Sequence, residues 1–182
     1  MAHIYYMRHG ETIWNVENKI CGATDVALTE LGHQQAIRAA HLIAEQRLEI
    51  DEILYSPLMR ARDTALHISD ITKIPTREEI RLKEQNFGKY ESTPRNGGVF
   101  ASMKMEFAQD FEGGESMLRL AQRIYNLLDD LKKDTNKTYL LVAHNGIARM
   151  LASYFYNMTK EEFSAYKLKN CEIRKFDFDQ EI

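Results

Sequence analysis

The sequence predicts an α/β fold, a three-layer α/β/α sandwich on a mostly parallel central sheet, and three observations predict it. Short apolar runs alternate with amphipathic helical patterns from end to end. The run at 138–143 is apolar almost without a break, as a strand covered by helices on both faces requires. Two histidines, His9 and His144, stand directly after apolar runs, at the strand ends where open sheets of this class bind ligands.

The first strand is read at 3–7, ahead of Arg8. Thr29 then caps a helix over 29–46 that buries Ala36, Ala40, Ile43 and Ala44. A second strand takes 52–55, and Ser56-Pro57 reads as N-cap and first-turn proline of a helix over 56–70 with Leu58, Ala61, Ala65 and Ile68 inward. A third strand is expected over 76–82. Segment 84–114 holds five of the nine glycines, which marks it as a loop-rich rim or lid, with one short helix near 99–107. From 115 to 132, Met117, Leu120, Ala121, Ile124, Leu128 and Leu131 keep helical period. The strand at 138–143 follows, then a helix over 146–158 with Ile147, Leu151, Tyr154, Phe155 and Met158 on one face, and 172–178 as an edge strand. No repeat or low-complexity linker interrupts the pattern, so 1–182 is read as a single domain.

Composition sets limits on function. With 24 Lys+Arg against 27 Asp+Glu, the net charge of -3 excludes a broad polycationic nucleic-acid surface. The apolar run at the amino terminus is cut off by Arg8, too short for a secretory core, and no stretch approaches the roughly 20 apolar residues of a membrane span. A cytoplasmic protein without membrane or nucleic-acid partners is expected. Cys21 and Cys171 offer neither a disulfide framework nor a zinc-type ligand pair, and neither a metal nor a disulfide is needed to hold a chain of this length together.

The chemistry concentrates after the strands. Arg8 abuts His9, and a second guanidinium, Arg60 or Arg62, lies near the start of the helix after the second strand; the helical wheel does not choose between them. A helix N-terminus and a guanidinium at one sheet edge suit a phosphate dianion. Glu84 follows the third strand and brings a carboxyl group to the same edge, where it can serve as a general acid.

The ordered blocks Arg8-His9-Gly10-Glu11-Thr12, Ser56-Pro57-Leu58-Met59-Arg60-Ala61, Glu84 with Phe87-Gly88 and Glu91, Gly114-Glu115-Ser116, and Val142-Ala143-His144-Asn145-Gly146 resemble the histidine phosphatase superfamily, which includes the cofactor-dependent phosphoglycerate mutases. The resemblance implies that His9 is the nucleophile and becomes phosphorylated. It implies that Arg8, Arg60 and His144 surround the transferring phosphoryl oxygens, and that Glu84 protonates the leaving alkoxide and then takes a proton from water. Asn15, Cys21, Gly22, Asn145 and Gly146 match positions that line the phosphate pocket in relatives. Neighbouring arginines are expected to keep the His9 imidazole neutral, and no metal or other cofactor is implied.

Four positions depart from the family's usual residues: Lys19, Cys21, Ala27 and Ser92. None is one of the catalytic groups; Cys21 raises the question of oxidation sensitivity. Mutases are similar in the core but carry a longer insertion between the acid and the second histidine, with basic residues for the substrate carboxylate. Here 85–143 is short and contains no Arg-Arg pair, which favours a phosphomonoesterase. A mutase and a catalytically silent phospho-ligand binder are the alternatives. A small phosphorylated metabolite is the expected partner ahead of a phosphoprotein; oligomeric state is not indicated. Phe100, Met103, Met105 and Phe107 are read as core, while Lys89, Arg95 and Lys104 fit either a second anionic group or a solvated face.

Overall fold

The computed structural model describes residues 3–178. Its sheet contains β1 (His3–Arg8), β2 (Glu52–Tyr55), β3 (Thr76–Glu78), β4 (Tyr139–Ala143) and β5 (Ile173–Asp177). The order is β3-β2-β4-β1-β5, parallel except for β5, which runs antiparallel against β1 at the edge. Met7 faces Val142 in the β1–β4 register and Tyr55 faces Val142 in the β2–β4 register, so the carboxyl ends of three strands finish side by side. Pairing continues one step beyond them: His9 N–H donates to the Ala143 carbonyl (2.9 Å) and Ser56 N–H to that of Val142 (3.1 Å). The residues after β1 and β2 are thus fixed to β4 before any helix begins.

Helices cover both faces because side chains alternate across a strand. Met7, Ile53, Leu140 and Val142 pack beneath α2 (Glu30–Glu45) and α3 (Met59–Thr72), whereas Ile4, Tyr6, Leu54 and Leu141 pack beneath α5 (Met117–Lys133) and α6 (Asn145–Phe155). His33 Nδ1 and His67 Nε2 are 2.8 Å apart and join α2 to α3, one ring donating and the other accepting. No helix among the described residues is long and apolar enough to cross a membrane.

Several boundaries differ from the sequence pattern for identifiable reasons. In α2 the inward residue beside Ala36, Ala40 and Ile43 is Ala39, while Ala44 is exposed. Ser56-Pro57 does not cap α3: the N-cap is Leu58 with no side-chain bond, and the Met59 N–H is taken by Asp25 Oδ1 at 2.8 Å. The Ser56 hydroxyl accepts from His144 at 2.7 Å and, at 3.4 Å, from the N–H of Leu58, but from no N–H of the helix itself. The third strand stops at Glu78, and Ile80–Leu82 form a 3-10 turn that sinks Leu82 into the core. The helix after β4 ends at Phe155 rather than 158. Two short helices, α1 (Ile13–Val16) and α7 (Lys160–Ala165), had no periodic signal, and both are held by capping boxes, Thr12 with Asn15 and Thr159 with Glu162.

Segment 84–114 contains α4 (Gly98–Met103) and is anchored by aromatic packing. Phe87 meets Phe100 and Phe111 edge to face, each at 5.2 Å between ring centroids. Met103 and Phe107 pack against the same core, and Phe107 lies 5.4 Å from the Phe163 ring of α7. The core reading of Phe100, Met103 and Phe107 agrees with this arrangement, whereas Met105, half-buried, is not among the side chains packed against the core.

Candidate active site

A cavity of about 310 Å³ opens where β1 and β4 end, and Arg8, His9, Asn15, Cys21, Glu84, Asn145 and Gly146 line it. Arg60, His144 and Gly22 stand immediately behind; the His9 and His144 ring centroids are 5.1 Å apart. All ten residues singled out in the sequence therefore gather at one sheet edge. Arg62 is excluded from it, since it is paired with Asp63 at the surface.

The His9 tautomer follows from its contact. Nδ1 lies 2.7 Å from the Gly10 carbonyl oxygen, which only accepts, so Nδ1 carries the proton and Nε2 keeps its lone pair. Burial first, then the Arg60 and Arg8 charges, hold the imidazole pKa well below its usual value. The arginines were expected to be the main cause; desolvation outranks them because the ring is only 5% exposed. Asn170, on the loop before β5, donates to the His9 carbonyl at 3.0 Å and steadies the same turn.

Arg60 is 1% exposed, yet every donor direction it uses is satisfied by protein. Nη1 and Nη2 donate to the carbonyls of Thr24 (2.9 Å) and Gly22 (2.7 Å), and Nε donates to His144 Nδ1 (3.2 Å). His144 Nδ1 is thus an acceptor, and Nε2–H donates to Ser56 Oγ at 2.7 Å. Burial and the Arg60 charge hold this second imidazole well below its usual pKa too. Arg8 donates to the Leu168 carbonyl (3.0 Å) and more weakly to Asn15 Oδ1 (3.5 Å), while its buried Nε has no protein partner. Burial and the Arg95 charge bring the Arg8 pKa down to about 10, so it stays cationic at neutral pH.

Glu84, 5% exposed, accepts the N–H of Gln85 through Oε1 and that of Gly146 through Oε2, both at 2.9 Å. Gly146 is what permits this: a Cβ there would run into the carboxylate. Its expected part in ligand binding is therefore indirect, because its N–H is engaged by Glu84. Asn145 lines the cavity, but its amide clamps the backbone of Leu168 in both directions (2.9 and 3.3 Å). Asn15, which lines the cavity, uses only its oxygen, which accepts from Thr12, Arg8 and Asn170, leaving its NH2 without a protein partner. Gly22 lies too close to the Gln85 carbonyl and the Phe87 ring for any side chain. Cys21 has its thiol pushed up, chiefly by burial, which argues against a reactive thiolate.

The sequence pattern did not assign roles to several supporting residues. Glu91 binds the N–H groups of Ala23, Thr24 and Phe87 and the Thr24 hydroxyl, tying the loop behind Arg60 to the rim. Tyr6 donates to the His144 carbonyl at 2.5 Å. The stretch 164–167 completes the cavity wall without any motif. Arg149 also lines it, and the available signal was a charged residue inside an otherwise apolar helix.

Fold and site together define an enzyme of phosphate-ester chemistry. The chain belongs to the histidine phosphatase superfamily, branch 1, whose family model matches residues 4–181. It is 31% identical to a protein of Yersinia pestis (strain Pestoides F) named a probable phosphoglycerate mutase, GpmB, over 99% of this chain and 86% of that one. Among solved structures it is similar to a mycobacterial glucosyl-3-phosphoglycerate phosphatase in complex with VO3, with a TM-score of 0.84 and 26% identity over 96% of this chain and 90% of that one. YhfR of Bacillus stearothermophilus shares the fold, with a TM-score of 0.84 and 24% identity over 97% and 91%.

Proposed function

We propose that this protein is a phosphomonoesterase that acts on small phosphorylated metabolites through a phosphohistidine on His9. The observation that carries the reading is the neutral His9 ring with its Nε2 lone pair unengaged, set among Arg8, Arg60 and a buried carboxyl group. In the first step Nε2 attacks phosphorus, the P–O bond to the leaving group breaks, and protonated Glu84 gives its proton to the departing alkoxide. In the second, the Glu84 carboxylate takes a proton from water, the water oxygen attacks phosphorus, and the P–N bond breaks to release phosphate and restore the lone pair.

Arg8 and the NH2 of Asn15 hold the phosphoryl oxygens from the cavity wall, and the buried charge of Arg60 behind them stabilises the charge that redistributes in the transition state. His144 acts through Arg60, whose guanidinium plane it sets by accepting from Nε. The arginines supply the positive charge, so the scheme invokes no metal. A cavity of about 310 Å³ lies at the small end of ligand pockets, which favours a metabolite over a folded phosphoprotein.

Incubation with a labelled phosphomonoester in the presence of chelator is expected to give an acid-labile phosphoprotein that His9→Ala abolishes. Turnover with no label on trapping, or label surviving in His9→Ala, would overturn the assignment. The name of the Yersinia relative keeps a mutase in view; isomerisation of 3-phosphoglycerate outpacing its hydrolysis when 2,3-bisphosphoglycerate is supplied would establish that reading instead.

A further inference from the structure

Strand β5 runs against its neighbour β1, and that direction puts its amino end beyond the carboxyl end of β1. Met7 faces Ile173, so the residues just before β5 carry on past β1 beside the cavity. Residues 168–171 form a strap there that meets four of the pocket residues. The Leu168 carbonyl accepts from Arg8 Nη1 (3.0 Å), and the Leu168 backbone is clamped by the Asn145 amide. Cys171 N–H donates to the Arg8 carbonyl (2.9 Å). Asn170 Nδ2 donates to the His9 carbonyl (3.0 Å) and to Asn15 Oδ1 (3.4 Å). With one side chain, Asn170 thus reaches both the nucleophile's turn and an amide that lines the cavity.

The chemistry of these partners fixes which way both amides face. A main-chain carbonyl only accepts, so the Asn170 atom beside His9 is its NH2. The Thr12 N–H (3.2 Å) and the Arg8 guanidinium (3.5 Å) only donate, so the Asn15 atom they meet is its oxygen. Asn170 adds a third donor to that oxygen. Turning the Asn15 amide over would set its NH2 against three donors and offer its oxygen to a ligand whose own oxygens repel it. Of the two side chains that donate to Asn15, Arg8 lines the cavity and serves the phosphoryl oxygens, whereas Asn170 does not line it. Nothing in the phosphoryl-transfer steps therefore competes for the Asn170 NH2.

We propose that Asn170 is a positioning residue: by donating to both His9 and Asn15 it ties the nucleophile's turn to the Asn15 amide and keeps the NH2 of that amide, not its oxygen, toward the phosphoryl group. This rests on the phosphomonoesterase reading, in which Asn15 holds a phosphoryl oxygen, and adds to it a residue that touches no substrate.

Calorimetric binding of inorganic phosphate, with a thermal melt beside it, tests the role without turnover. Asn170→Ala is expected to weaken phosphate binding by up to about tenfold, the size of a lost hydrogen bond. Asn170→Asp keeps the shape but offers only acceptors, which draw the Asn15 NH2 inward and turn its oxygen toward the ligand; binding should weaken by about a hundredfold, as when a preorganised donor is lost. In the Asn15→Ala background Asn170→Ala should cost less than about twofold, because coupled residues are not additive. The gap between Asp and Ala at 170 should narrow there too, since only the repulsion of an added charge is left. A residue that merely fills space would give the opposite order, with Ala worse than Asp and losses that follow the melting temperature. That order, equal losses from Asn170→Ala in both backgrounds, or a wild type that binds no phosphate would overturn the role. The expected cycle in a protein that never forms a phosphohistidine leaves Asn170 in place and sinks the phosphomonoesterase mechanism instead.

Discussion

A single missing side chain decides how the carboxyl group at this site is held. Glu84 reaches the first turn of α6 because residue 146 is glycine, and its Oε2 accepts the N–H that a helix start leaves free. Alanine at 146 sets two effects against each other: helix propensity improves by up to about 1 kcal/mol, while the new Cβ occupies the space of the carboxylate. The second effect acts on catalysis and the first on stability. Gly146→Ala is therefore expected to keep its fold and melting temperature within a few degrees of wild type, yet to lose about a hundredfold or more in kcat as general-acid geometry is lost. Steady-state kinetics beside a thermal melt checks both, and undiminished kcat would show that Glu84 has another resting place. The position of the glycine was legible from the resemblance to relatives, but its reason was not. A pocket-lining residue and a residue that makes room for a pocket-lining residue look the same in a linear pattern.

At the scale of elements, α3 shows how tertiary partners override local signals. Ser56-Pro57 is a good start signal for a helix, but the Ser56 hydroxyl has a buried imidazole 2.7 Å away and serves His144 instead. The cap comes from Asp25, which is 34 residues upstream and exposed, and which takes the Met59 N–H. Asp25→Ala should thus act like a lost N-cap, lowering stability by about 1 kcal/mol in urea unfolding. Arg60 lies in the first turn of α3, so the KM for a phosphomonoester should rise as well. A variant with unchanged stability and KM would show that water replaces the carboxylate without loss. The long elements were legible because their burial is periodic: α5 keeps its stripe from Met117 to Leu131, and β4 is buried at all five positions. Helices α1 and α7 were not, since four and six residues hold too little period, and their capping boxes become distinctive only with known boundaries. The choice between Arg60 and Arg62 likewise needed the fold, as a buried guanidinium bonded to carbonyls leaves no mark on a helical wheel.

For the molecule as a whole, a net charge of -3 hides a strong separation. None of the ion-paired side chains of the described residues lines the cavity, whereas Arg8, Arg95, Lys104 and Arg149, which line it, and Arg60 behind it have no ion pair. That unpaired charge, together with burial, keeps His9 and His144 neutral, and it ties the stability of the whole fold to pH. Both imidazoles have pKa values well below the usual histidine value when folded; in the unfolded chain they return to about 6.5. Between the folded and unfolded values the unfolded state binds more protons, so unfolding free energy rises with pH there. The full stability is present above about pH 6.5 and is lost as pH falls below it, at up to about 1.4 kcal/mol per pH unit for each histidine. Urea midpoints measured without phosphate from pH 8 down to 5 should be level at first and then fall. His144→Gln, which keeps a polar group beside Ser56 and Arg60, should start less stable but lose stability less steeply below pH 6.5. The difference in slope should approach one histidine's share. Parallel slopes in the two proteins would mean that the buried His144 ring accepts its proton in the folded state as readily as in the unfolded one, and the coupling between the site's charge and the fold's stability would have to be abandoned.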